Sequence, residues 1–349
     1  MPEKEHDKNG VFDEFINKPV DINNFNYYSY FLSIISGREF GTELTNVKYS
    51  LIEAKFISIL NELSKLDDTD YKIDEFINLI SSIKVTRLLE ENITKILNSL
   101  DKIEDSCEKR NIYEIIVYSL RDTQLLGKHF TVLLNSLEKI DDELERQFGF
   151  ETLMFSIKGT HLLAENFTTI LYTLDKLGDD EVKRSAFYNL TIIIKETNLS
   201  EKILTDILNY LDKFSGEDKI LAFCDIISSI KHSNLLEEQK IAKYSLTETK
   251  FPNVLNAINK MDDDTDKRRA LCNLMFAIKR TTLLDENFTA ILNTIDKIID
   301  NTHKRYGLSY MISAIYEEKS FKEKVSLIKK RFPEYLDELE EMLNKVETS

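Results

Sequence analysis

Apolar residues recur along the chain at helical offsets. Within residues 162–174 they stand at Leu163, Phe167, Ile170, Leu171 and Leu174, one face of a 3.6-residue period. Glu165 near the start and Lys176 near the end suit the helix dipole. Gly178-Asp179-Asp180 then reads as a turn. A second amphipathic stretch follows over 182–195, with Phe187, Leu190, Ile193 and Ile194 among its apolar positions. The pattern predicts helix, short turn, helix, with Lys195-Glu196-Thr197-Asn198 leading into the next unit.

The same pattern returns with a fixed step. Leu60, Leu97, Leu134, Leu171 and Leu208 are spaced by 37 residues, as are Leu255 and Leu292, while Leu208 to Leu255 is a step of 47. Asn follows each of these leucines except Leu171, where Tyr172 stands. Lys65, Lys102, Lys139, Lys176, Lys213, Lys260 and Lys297 each lie five residues past the leucine. One helix pair cannot cover its own apolar face, so a repeat of this length predicts stacked neighbours. The expected architecture is a right-handed array of about seven helix pairs over residues 46–317, first helices on one face and second helices on the other. Residues 1–22 read as a flexible tail. Residues 23–45, with Phe25, Tyr27, Tyr28, Tyr30 and Phe31, read as a capping helix and link, and residues 318–349 as two C-terminal capping helices.

Two further ladders run through the turns. Asp68, Asp105, Asp142, Asp179, Asp263 and Asp300 share one phase, with Gly216 as the exception. Four residues on come Lys72, Lys109, Arg146, Lys183, Lys267 and Lys304, with Lys219 displaced by one. Acid and base are expected to form mostly exposed ion pairs along one edge, structural more than chemical. Thr86, Thr123, Thr160, Thr197, Ser233 and Thr281 end the second helices, each two residues after Lys84, Arg121, Lys158, Lys195, Lys231 or Lys279. Capping explains them, and a basic stripe gripping an acidic peptide or a phosphate is the sharper reading. The acid and base ladder resembles that of HEAT repeats. The resemblance covers roughly residues 46–317 and implies an all-α fold, an α-α superhelix of the HEAT-like solenoid kind.

Charge and composition narrow the function. The net charge of −15, from 61 acids against 46 bases, opposes general nucleic-acid binding and suits a protein or peptide partner, possibly basic. No apolar run is long enough to span a membrane, and the N-terminus lacks a signal-peptide core. Cys107, Cys224 and Cys272 sit at different phases and make no disulfide framework or metal cluster. Cytoplasmic residence is expected, and the sequons at Asn92, Asn166, Asn189, Asn198 and Asn287 are then incidental.

No catalytic, cofactor-binding or metal-binding residue stands out. HEAT-like metal-dependent hydroxylases carry His-Glu dipeptides, and this chain has none; His6, His129, His161, His232 and His303 occur singly. HEAT-like DNA glycosylases use a basic groove with aromatics, whereas this chain is acidic and lacks Trp. The irregular unit is the chosen pointer, because insertions in repeat proteins map to one face, often the binding face. Within residues 239–251, Tyr244 and Phe251 are candidate partner anchors among Lys240, Lys243 and Lys250. The expected function is a non-enzymatic interaction scaffold binding a protein or peptide along an extended surface. The alternative is a HEAT-like enzyme or accessory of lyase type, which a pocket with convergent polar groups and a perturbed carboxylate would favour.

Overall fold

The computed structural model describes residues 8–21, 25–35, 46–66, 69–84, 86–195, 200–316 and 318–347. His6, the link over 36–45, Asp68, Thr197 and Asn198 lie outside the described residues. Among the described residues every regular element is a helix, so the chain is all-α. No helix among them is long and apolar enough to cross a membrane.

The chain divides into two compact units. The first holds α1 (Lys8–Asn17), α2 (Phe25–Ile35), α3 (Asn46–Leu63), α4 (Thr69–Ile83), α5 (Arg87–Asn98), α6 (Ser106–Leu120), α7 (Gln124–Ser136), α8 (Glu143–Ser156), α9 (Leu162–Glu165) and α10 (Phe167–Asp175). The second holds nearly all of α11 (Asp180–Lys195), then α12 (Glu201–Tyr210), α13 (Gly216–Lys231), α14 (Glu237–Glu248) and α15 (Phe251–Asn259). It continues with α16 (Asp264–Ile278), α17 (Thr282–Asp296), α18 (Asn301–Ile315), α19 (Phe321–Arg331) and α20 (Leu336–Glu347).

Within each unit a helix packs on its counterpart in the next pair. In the first, α4 lies on α6 and α6 on α8, while α5 lies on α7 and α7 on α10. In the second, α13 lies on α16, α16 on α18 and α18 on α20, while α12 meets α14 and α15 meets α17. Second helices share one core position, held by Phe76, Tyr113 and Phe150 in the first unit and by Phe187, Phe223, Leu271 and Leu308 in the second, all fully buried. Truncating such a ring to Ala typically costs about 3–5 kcal/mol. At Gly149 an added Cβ would stand 3.0 Å from Leu137 Cδ2, so the absent side chain lets α8 close on the preceding turn.

The segment expected as a tail over 1–22 contains a helix instead. Phe12 and Phe15 of α1 are buried, and Phe15 stacks on Phe31 at 6.3 Å. The Tyr28 hydroxyl donates to the Pro19 carbonyl at 2.6 Å and accepts from Asp21 N at 2.7 Å. Since α2 packs on α4 and α1 meets α3, these two helices form one more pair at the start of the array. Apolar spacing in so short a segment is weak, which is why the pattern passed over it.

Candidate functional site

The acid ladder caps helices. Asp105 accepts from Glu108 N at 2.8 Å, Asp142 from Leu144 N and Glu145 N at 3.0 Å, Asp179 from Val182 N at 3.0 Å and Asp300 from His303 N at 2.9 Å. Each satisfies an orphan donor at the start of a second helix. Among the described residues these bases do not pair with these acids, and Lys72, Lys109 and Lys267 are buried rather than exposed, which corrects the expectation of surface pairs. Their stems lie along apolar surface while their heads reach farther groups. Lys72 bridges Glu108 of the next repeat at 2.8 Å, Lys109 bridges Asp141, and Arg146 donates to the carbonyls of Ile140 at 2.8 Å and Leu177 at 3.1 Å. In the second unit Lys267 pairs with Asp264 of its own helix at 3.1 Å.

The threonine phase caps first helices. Thr86 accepts from Leu89 N and Thr123 from Leu125 N, while their hydroxyls donate back to Ile83 O and Leu120 O. Just before the threonines, Asp122, Gly159 and Arg280 adopt φ near +62°, +74° and +63°, the left-handed conformation that ends a helix. The lysines that follow the leucine phase bind the preceding repeat, Lys139 to Asp101 at 2.5 Å and Lys176 to Glu138 at 2.6 Å.

The stretch over 239–251 is not a loop. It forms most of α14 and the start of α15, so the extra residues add a helix ahead of α15. Tyr244 is 5% exposed and Phe251 is fully buried against Phe223, ring centroids 5.8 Å apart. Neither ring is on the surface as an anchor, because each fills the core that the added helix needs. Lys240 pairs with Glu237 at 3.0 Å and Lys250 with Asp212 at 2.5 Å; Lys243 is half-buried. Lys250 holds the Asp212 carboxyl below its ordinary range. A shallow recess of about 600 Å³ adjoins Asp212, lined by Lys219, Asn253, Asn256 and Lys260.

The exposed aromatics lie elsewhere. Tyr71, Tyr118, Phe148 and Phe155 in the first unit, and Tyr188, Phe276 and Tyr306 in the second, stand on second helices. Among the described residues Tyr172 is the single exposed aromatic on a first helix. One register position carries Tyr118 in α6, Phe155 in α8 and Phe276 in α16, but Ser81 in α4, Ile192 in α11, Ser228 in α13 and Ser313 in α18. Beside Ser228 a cleft of about 240 Å³ lies between α13 and α16. Leu221, Cys224, Asp225, Ser228, Lys231, His232, Asn273, Phe276 and Ala277 line it, and Phe276 is 80% exposed. The repeat spacing does not point to this cleft, because serine also stands at its phase as Ser81 and Ser313.

The cleft is electrostatically divided. On one side Asp225 accepts a hydrogen bond from Arg184; burial raises its carboxyl pKa, and the guanidinium opposes that shift. Burial also pushes the Cys224 thiol up, so it is protonated and unreactive near neutral pH. On the other side Lys231 is lowered by burial and by the like charges of Arg280 and Lys279. His232 Nδ1 lies 2.9 Å from Ser228 O and 3.3 Å from Ser228 Oγ. The carbonyl can only accept, so Nδ1 carries the proton there and cannot serve as base for the hydroxyl.

No group of three His, Cys, Asp or Glu side chains among the described residues is placed to hold a metal ion. His129 is half-buried, and burial lowers its pKa; His161 is exposed, with Nε2 3.9 Å from Glu165. Searches against protein-family models and against curated proteins find no match to this chain.

Proposed function

We propose that the chain is a non-enzymatic interaction scaffold of the HEAT-like kind, which binds a protein segment along the solvent face of its second helices. The exposed aromatics carry this reading. Second helices present Tyr118, Phe148 and Phe155 in one unit and Tyr188, Phe276 and Tyr306 in the other, while first helices present Tyr172. Aromatics contribute large contact area at low entropic cost and dominate interface hot spots. The caps and inter-repeat ion pairs already account for the polar ladders, so those ladders need no ligand.

Two double variants test the proposal, Tyr118→Ser with Phe155→Ser and Phe276→Ser with Tyr306→Ser. Exposed positions of this kind should change stability by less than about 0.5–1 kcal/mol. At least one variant should lose specific partners in cross-linking mass spectrometry from the native host. Unchanged cross-links in both, and in their combination, would remove the second-helix face from consideration.

A second reading has one observation behind it. The α13–α16 cleft contains a carboxyl with a raised pKa, Asp225, the mark set for an enzyme. Arg184 already occupies that carboxylate, and His232 Nδ1 is spent on a carbonyl. A Ser228→Ala variant that keeps every partner but abolishes a measurable turnover would favour the enzyme.

A further inference from the structure

We infer that the α13–α16 cleft accepts an acidic peptide segment that places an apolar side chain against Phe276 and carboxylates on the cationic end formed by Lys231, Lys279 and Arg280. This rests on the scaffold reading and names the partner's chemistry at one site. The geometry has two parts. The first is an apolar wall, with Leu221 and Ala277 lining the cleft beside the 80% exposed Phe276 ring. Ser228 and Asn273 add hydrogen-bonding groups that suit a peptide backbone. The second is the cationic end, where α13 finishes at Lys231 and α16 is followed by Lys279 and Arg280.

Charge complementarity selects the occupant. The chain carries −15 overall, so a local group of cations is set against the field of the whole molecule. The charges that act on Lys231 are those of Arg280 and Lys279, which repel it. A carboxylate entering beside them relieves that repulsion, and helix C-termini that already attract cations hold the bases in place. The acid in the cleft, Asp225, does not oppose an anionic ligand as a free charge because Arg184 is bound to it. A basic segment would meet the like charges of Lys231 and Lys279 at this end. Duplex nucleic acid needs a long basic footprint, and the aromatic wall offers none.

The test uses the full chain and a short fluorescein-labelled peptide of glutamates flanking one phenylalanine, read by fluorescence anisotropy. A lysine version of the peptide and a duplex DNA serve as competitors. The acidic peptide should bind and weaken with added salt. Phe276→Ala and Lys231→Gln should each lower affinity roughly tenfold, an effect in the range of a hot-spot contact. Tyr172→Ala, on a first helix in the other unit, should leave affinity unchanged, and circular dichroism melts confirm that each variant folds. Equal binding of the lysine peptide, tighter binding of duplex DNA, or unchanged affinity in both Phe276→Ala and Lys231→Gln would overturn the assignment. If cross-linked partners are still lost in the Phe276 and Tyr306 double variant while the acidic peptide fails to bind, only the ligand class falls. If those partners are retained as well, the scaffold reading of this face falls with it.

Discussion

The second helices of the two units share one register but tie their repeats differently. In the first unit the base near the start of each helix reaches forward, Lys72 to Glu108 and Lys109 to Asp141 of the following repeat. In the second the corresponding bases turn back or stay local: Lys219 lies 3.6 Å from Asp212, Lys267 pairs with Asp264, and Lys304 lies 3.9 Å from Asp296. Both units also link second helices on the outer side: Arg110 to Glu145 in the first, and in the second Arg184 to Asp225, Ser229 Oγ to Thr191 O at 2.8 Å and the bidentate Arg269–Glu217 pair. The outward face follows suit. In the first unit Tyr118 and Phe155 occupy successive rungs; in the second, Ser228 and Phe276 do, and the small Ser228 side chain lines the cleft. The lesson is that a repeat sets where side chains stand, while a single rung decides whether two neighbours close or part.

The forward pairs should be the costly ones to break. The Lys72 and Glu108 side chains are almost fully buried, so Lys72→Ala breaks a buried pair and should destabilise the first unit by about 3–5 kcal/mol. Lys267→Ala should cost far less, because Asp264 keeps its bonds from Ile299 N at 2.8 Å and Asp300 N at 2.7 Å. Chemical denaturation of both variants measures the contrast. Equal losses would mean that forward reach has no energetic meaning.

The rung itself can be exchanged. Ser228→Tyr should fill the cleft and make the second face resemble the first, with a stability change below about 1 kcal/mol at so open a position. Acidic-peptide affinity should then drop at least as far as in Phe276→Ala. A variant that binds as before would show that the cleft is not where the peptide sits.

Much of the fold was legible because apolar periodicity and turn residues repeat without tertiary help. The 37-residue leucine step placed the helix pairs, and the Asp105 and Thr123 phases placed their ends. Partners of long side chains were not legible. Nothing in the spacing of Lys72 says that its ammonium crosses to Glu108 rather than to its own turn. The extra residues near 239–251 misled for a related reason: Tyr244 and Phe251 read as partner anchors in an insertion, but an added helix also needs core to cover it. The cleft was hidden because serine recurs at this rung, as Ser81 and Ser313, and carries no motif; only packing reveals the space beside Ser228.

Caps sharpen the comparison on a smaller scale. Asp142 receives two backbone N–H bonds, whereas Ser215 at the equivalent turn makes no side-chain cap bond. Asp142→Ala should therefore cost about 1 kcal/mol, and Ser215→Ala close to nothing. Thermal melts of the pair decide this, and a loss at Ser215 as large as at Asp142 would show that the serine is placed for another reason.

The smallest effect concerns Lys250, the lysine that looked like part of a binding spot. It is bonded to Asp212, whose folded pKa is thereby lowered below its unfolded value. A lowered carboxyl contributes stability that is fully present above the unfolded pKa, about 3.9 for Asp, and is lost as pH falls through the folded value. Asp212 is half exposed and Lys219 also lies near it, so the contribution should stay below about 1 kcal/mol. Lys250→Ala should thus be slightly less stable than the parent at neutral pH, and the two should converge in acid as Asp212 protonates in both. Raised salt should narrow the gap in the same direction. A gap that persists undiminished at low pH would mean that Lys250 acts through the packing of its methylene stem beside Phe251, and that the ion pair is incidental.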